Sequence, residues 1–226
     1  MLALGAFAAQ GASAVPLTVE GLGGVATTAY TSGDQDGGVQ VLKSSGGSVS
    51  CVEASFLGYG AASSTGAVNE QTVIPNYPTE KAGGGGNCTA FGFAGAHIKA
   101  NECTYTFTES TNLEPGKATW SAERLHLVCP AGKAIEITPT SFGISVCTQT
   151  INAQTPTSGH IVGKNVAGSV PMDVTLEITL TGIHYTGNGG SCGDGTTHTD
   201  GSLTGNSTVK CYSDAAHNTQ VGCTFS

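Results

Sequence analysis

Apolar and polar side chains alternate with a period of two through much of this chain. The pattern is clearest over 173–181, where Val174, Leu176, Ile178 and Leu180 share one face and Asp173, Thr175, Glu177, Thr179 and Thr181 the other. That period is the pattern of a half-buried β-strand. Ile183 and Tyr185 continue the alternation in a shifted register, so a bulge at Gly182 is expected to keep both turned inward. Over 102–109, Cys103, Tyr105 and Phe107 alternate with Thr104, Thr106 and Thr108; over 123–129, Leu125, Leu127 and Cys129 alternate with Arg124, His126 and Val128. The turn Pro130-Ala131-Gly132-Lys133 then leads into a strand over 134–138, which forms a hairpin-like pair with the strand before it. Further strands are expected over 38–43, 48–57, 71–74, 94–99, 143–151, 160–162, 202–210 and 220–225.

Composition supports the same class. The chain has 34 glycines, 11% charged and 6% aromatic residues, which describes short strands and many turns rather than amphipathic helices. Its formal net charge is −8, and the seven lysines and Arg124 are scattered. This excludes a nucleic-acid partner, whose phosphates call for clustered basic side chains. Residues 1–14 form an apolar stretch ending in Ala12-Ser13-Ala14 and read as a signal peptide cropped of its basic amino end, with Val15 the first mature residue. The stretch is interrupted by Gln10 and Gly11 and is short of the roughly 20 residues a membrane span needs. The expected product is secreted and extracellular, with no membrane span and a bacterial style of leader.

The eight cysteines, Cys51, Cys88, Cys103, Cys129, Cys147, Cys192, Cys211 and Cys223, all follow the leader. An even set in an exported chain reads as four disulfides. A faint internal duplication orders them: SVSC at Cys51 resembles HLVC at Cys129, TVIP at Pro75 resembles EITP at Pro139, NCTAFG at Cys88 resembles VCTQTI at Cys147, and NECTYT resembles TGIHYT. A chance match among Thr-, Ser- and Gly-rich segments is the competing explanation. The duplication pairs Cys51 with Cys88 and Cys129 with Cys147, leaves Cys103 to reach Cys192, and lets Cys211 and Cys223 close a C-terminal hairpin. The expected fold is all-β, an antiparallel β-sandwich built either as one sandwich or as two related β-sandwich halves stapled by disulfides. The halves would be 15–115 and 116–226; a single compact domain is the other arrangement.

The ordered motifs NCTAFGF, ANECTYTFT, LHLVCPAGKAIEIT, VCTQTINAQT, VTLEITLTGIHYTG and SCGDGTTHTDGSLTG resemble a group of secreted, disulfide-rich β proteins of soil actinobacteria, over residues 48–205. The resemblance brings no activity and no catalytic residues with it.

The residues themselves select no catalytic set, no metal ligands and no cofactor. Asp34 and Asp36 precede Gly37 as in a calcium loop, but the third oxygen position and the distal Glu are missing. Asp194-Gly195 and Asp200-Gly201 read as turn dipeptides. The six histidines, His97, His126, His160, His184, His198 and His217, are too dispersed for a short metal motif; His184 with His198 is the one pair that zinc could use. Ser141 and Ser145 lack a nucleophile elbow. Asn87-Cys88-Thr89 and Asn206-Ser207-Thr208 match glycosylation sequons without functional weight here. Binding is the stronger reading, because Tyr30, Tyr59, Tyr77 and Tyr212 lie in segments that can be exposed; the single Trp120 is assigned to core or interface packing. The sequence thus describes an exported, non-catalytic structural or binding protein of the extracellular space or cell surface whose ligand it does not name, a cell-wall or glycan ligand being the candidate; a secreted glycosidase-like hydrolase with loop-borne carboxylates is the alternative. An exposed patch of aromatic side chains favours the first, and a deep cleft holding two carboxylates about 5 to 9 Å apart the second.

Overall fold

The computed structural model describes residues 17–22, 27–35, 39–80, 85–92, 94–108, 110 and 116–225. The leader, Asp36 and Gly37 lie outside them. In chain order the strands are β1 Leu17–Val19, β2 Thr27–Gln35, β3 Gln40–Ser44, β4 Gly47–Cys51, β5 Ser55–Ala62, β6 Ala67–Val68, β7 Gln71–Asn76, β8 Cys88–Ala90, β9 Ala94–Lys99 and β10 Thr104–Phe107. There follow β11 Lys117–Ser121, the 3-10 turn η1 Ala122–Arg124, β12 Leu125–Val128, β13 Ile135–Ser141, β14 Ile144–Ser145, β15 Thr148–Ile151 and β16 Ser158–Asn165. The last elements are β17 Val174–Gly189, the 3-10 turn η2 Gly190–Cys192, β18 Gly193–Tyr212, β19 Gln220–Val221 and β20 Cys223–Phe225. No helix among the described residues is long and apolar enough to cross a membrane.

All-β is right; the sandwich is not. Eight antiparallel strands close a ring in the order β3, β4, β8, β9, β13, β15, β17, β18 and back to β3. Closure pairs every strand on both sides and removes the edges a sandwich would leave. The stretches 15–115 and 116–226 each supply four of the ring strands. Inward positions are small or β-branched: Ala90, Ala94, Ala96, Ile135, Ile137 and Ile151 are all buried. Such side chains fill most of an eight-stranded interior and leave no open channel.

The hairpin β17–β18 is much longer than the ring needs. Its far half carries a second sheet in the order β11, β16, β17, β18, β2, β5, β7, β10, β12. The outer strands of that sheet, β11 and β12, are consecutive in the chain and joined by η1, so the sheet curls into an open barrel with one seam. Trp120 spans the seam, its ring edge-to-face with Phe107 (6.2 Å) and with Phe225 (5.5 Å). Gly163 is required here: a Cβ on it would lie 2.5 Å from the Phe225 ring. The short strands β20, β1 and β6 cover one end of this barrel. The expected bulge is present, as a register shift between Thr181 and Ile183 with Gly182 at φ 68°, and Ile183 and Tyr185 are buried.

Two local expectations are corrected. The strands flanking Pro130-Ala131-Gly132-Lys133 do not pair: β12 pairs with β10, and β13 with β9 and β15. The turn is closed by the Lys133 N–H donating to Pro130 O and hands the chain from the open barrel to the ring. The disulfides are Cys51–Cys88, Cys103–Cys129, Cys147–Cys192 and Cys211–Cys223, so the expected Cys129–Cys147 and Cys103–Cys192 pairs are replaced. Strand register decides this rather than a repeat. Thr104 faces Val128 across β10 and β12, which places Cys103 opposite Cys129, and Thr148 faces Asn188, which carries Cys147 to the end of β17 beside Cys192.

Candidate functional site

The outer face of the open barrel carries a row of tyrosines. In antiparallel pairs, directly opposed residues project from the same face. Tyr30 on β2 is opposite Tyr59 on β5 and also opposite Tyr212 on β18. The three phenols therefore line up across three neighbouring strands. Burial assigns the face: Ala29, Thr31 and Gly33 point inward, while Tyr30 and Ser32 between them are half-buried on the outside. Tyr59 is 45% exposed. Two residues along β5 on the same face, Leu57 is paired with Ile74, and they are 50% and 43% exposed. An apolar and aromatic surface thus continues over four strands, β18, β2, β5 and β7.

Polar groups border the row. The Ser32 hydroxyl donates to the Tyr212 hydroxyl at 3.3 Å, and Lys210 stands opposite Ser32 on β18. His217 packs edge-on against Tyr212 at 4.8 Å and Tyr30 at 6.2 Å, with Nε2 3.3 Å from Thr31 O. His217 is at φ 56°, in the left-handed region that few residues other than glycine adopt, and Asp214 holds its loop. The Asp214 carboxylate accepts the backbone N–H groups of Ala216, Asn218 and Thr219. The Asn218 and Thr219 bonds above all hold that carboxyl below the usual range. The loop is thereby pre-set to support two of the three tyrosines.

Of the sequence candidates, the structure brings Tyr30, Tyr59 and Tyr212 together and leaves Tyr77 out. Tyr77 turns its hydroxyl into the open barrel, where it donates to Gln40 Oε1 at 3.2 Å. Burial, with Tyr105 beside it, pushes Tyr77 well above the ordinary tyrosine value, and burial pushes Tyr105 up to about 12. Trp120 sits among aromatic rings in the seam, as core packing requires. His184 and His198 do not meet: His198 stacks on Tyr185 at 5.1 Å, whereas His184, the neighbour of Tyr185, projects from the opposite face. Among the described residues no three His, Cys, Asp or Glu side chains converge.

Asp200-Gly201 is no turn but lies inside β18, where Asp200 accepts the Tyr185 hydroxyl at 3.1 Å. Asp194 does make a local turn contact, accepting the Thr196 N–H and hydroxyl at 3.0 and 2.6 Å. Ser141 and Ser145 flank the β13–β14 turn at Phe142 and Gly143, and Phe142 is fully exposed. Asn87 is buried, its side-chain amide donating to Glu53 O and Pro78 O, which uses up the group a sequon would offer. Two interior cavities lie in and beside the open barrel, and neither is lined by Asp or Glu.

Sequence reading named the three tyrosines but missed β2, the strand that joins them, and placed His217 only among dispersed histidines, not beside the tyrosines. The available clue in β2 was alternation of small against larger polar side chains, Ala29, Thr31, Gly33 against Tyr30, Ser32, Asp34, which contains no apolar stripe. No protein-family model, curated protein or solved structure matches this chain.

Proposed function

We propose that this is an exported binding protein that holds neutral polysaccharide chains on the outer face of its open barrel. The observation that carries the reading is the in-register row Tyr59, Tyr30, Tyr212. Neighbouring strands lie about 4.8 Å apart, close to the advance of one sugar unit along an extended polysaccharide. Three phenols on adjacent strands can therefore stack on successive sugar rings. Stacking uses the apolar C–H face of a sugar, while Ser32, Lys210 and His217 along the border can meet its hydroxyls. An exposed patch of this kind on a rigid sheet marks an interaction surface. The net charge of −8 disfavours strongly anionic polymers. Four disulfides fit an extracellular setting. The hydrolase alternative gains no support, since the cavities carry no carboxylate pair.

The test is sedimentation of the oxidised protein with insoluble chitin, cellulose and peptidoglycan, followed by calorimetry with soluble oligosaccharides of the polymer that binds. Tyr30→Ala and Tyr59→Ala should each weaken binding by about ten-fold or more, as central aromatic contacts do, while the melting temperature stays close to that of the parent. Retention by none of the polymers, or equal retention of both variants, overturns the proposal.

A further inference from the structure

The interior of the open barrel is not filled. A cavity of about 90 Å3 lies against Trp120, Phe56, Phe107 and Val73, and a second of about 60 Å3 lies toward the ring, against Leu42, Ile98 and Ile137. Gln40, Tyr77, Tyr105, Leu125, Leu180 and Leu203 line both and form the wall between them. Two of the lining positions are glycines. Inward positions on β2 and β5 are Gly33 and Gly58, which add no side chain to the barrel interior. At Gly58 the room is taken instead by the Thr31 hydroxyl, which accepts a hydrogen bond from Gln71 Nε2 at 2.5 Å.

The buried polar groups that face the larger cavity are in good part paired. Gln71 is bonded to Thr31, the Tyr77 hydroxyl to Gln40, and the Ser207 hydroxyl to Asp34 O. A buried water needs two to four free polar partners, and an apolar cavity without them stays dry and takes apolar guests instead. Taken together the two volumes approach the roughly 150 Å3 at which such a cavity accepts benzene, with the Tyr105 ring as the wall that must shift.

We infer that the open barrel is a binding site for a small, neutral, apolar molecule of about one aromatic ring. The site is separate from the tyrosine row. Its ligand is uncharged because the lining offers no ion partner, and burying an unpaired charge is prohibitive.

Trp120 is the sole tryptophan and lines the larger cavity, so its emission reports occupancy. Benzene added to the full oxidised chain should change Trp120 emission saturably, with a dissociation constant on the order of 1 mM for so small a ligand, and should raise the melting temperature. Benzoate should do neither. Val73→Phe places a ring in the larger cavity and should weaken benzene at least about ten-fold, by loss of the space that binds it. Should that variant fail to fold, Val73→Ala enlarges the same space and should shift preference from benzene toward naphthalene. Tyr59→Ala should leave benzene binding intact. A response that never saturates, benzoate matching benzene, or a Val73 substitution without the stated effect overturns the inference.

Discussion

The two barrels differ in how they are closed. In the ring, every strand has a hydrogen-bonded partner on each side. In the open barrel, β11 and β12 meet through a three-residue 3-10 turn and the packing of Trp120 on Phe107. The interiors differ in degree. The ring holds alanines and isoleucines and borders the smaller cavity of about 60 Å3, whereas the open barrel holds large aromatic rings around the larger one of about 90 Å3. Backbone ladders fix the distance between strands, so the side chains inside must fit it; a side-chain seam sets no such distance and tolerates slack. The larger share of the slack inside and a rigid ladder outside both belong to the open barrel, and both proposed sites are there.

Truncation measures this difference most directly. Ile137→Ala in the ring should cost about 4 kcal/mol, near the upper part of the range for such a change, because the surrounding ladders cannot close on the hole. Trp120→Ala removes more atoms yet should cost about 3 kcal/mol, since Trp120 is half-buried whereas Ile137 is fully buried. Denaturant titration gives both numbers, and a reversed order would break the comparison.

The disulfides sharpen it. Loop-closure entropy predicts about 4 kcal/mol for loss of Cys51–Cys88 and about 3.5 kcal/mol for loss of Cys103–Cys129, from sequence separations of 37 and 26. What should differ is where the protein opens. Without Cys103–Cys129, amide exchange should accelerate in β10 and β12 while β9 and β13 keep their protection. Equal acceleration in the ring would mean that the two barrels open as one unit.

Alkaline pH acts on the open barrel through Tyr77 and Tyr105. Both are raised by burial, so the folded state holds their protons more tightly than the unfolded chain does. The stability they contribute is complete below pH 10 and is lost as pH rises above it, through about 12 for Tyr105. The melting temperature should fall by several degrees over that window, and the double variant Tyr77→Phe, Tyr105→Phe should flatten the fall. The smallest effect belongs to the exposed Lys164–Glu177 pair at 2.7 Å on the outer face of the shared hairpin. Lys164→Ala should change stability by no more than about 0.5 kcal/mol.

Legibility in the sequence follows the same division. Strands with an apolar stripe could be read: β9 at its bounds, β10 and β17 in their inward faces, and the bulge at Gly182 from the register of Ile183 and Tyr185. Strands whose inward face is small or polar could not. β2 turns Ala29, Thr31 and Gly33 inward, and the first part of β18 is Thr, Gly, His and Asp, so neither shows the contrast that periodicity detects. The candidate site was therefore legible as separate tyrosines but not as a row, because the row depends on register across β5, β2 and β18, and on residues as far apart as Tyr30 and Tyr212. The same long-range register defeated the repeat-based cysteine pairing at Cys103, Cys129, Cys147 and Cys192, while Cys51 directly faces Cys88 across β4 and β8. Closure into a ring rather than two facing layers also rests on the β3–β18 ladder, which no local pattern announces.

The shared hairpin also sets a timetable. β2 and β3 can complete their sheets only against β18, so a chain made or exported amino end first presents most of its strands before the one that unites them arrives. Neither barrel can close until the last quarter of the sequence is free to pair. β17 and β18, by contrast, meet across a short turn and can zip locally, at the speed of a hairpin rather than of a distant contact. Assembly then runs backward along the chain, with the late hairpin acting as the template on which the earlier strands are laid.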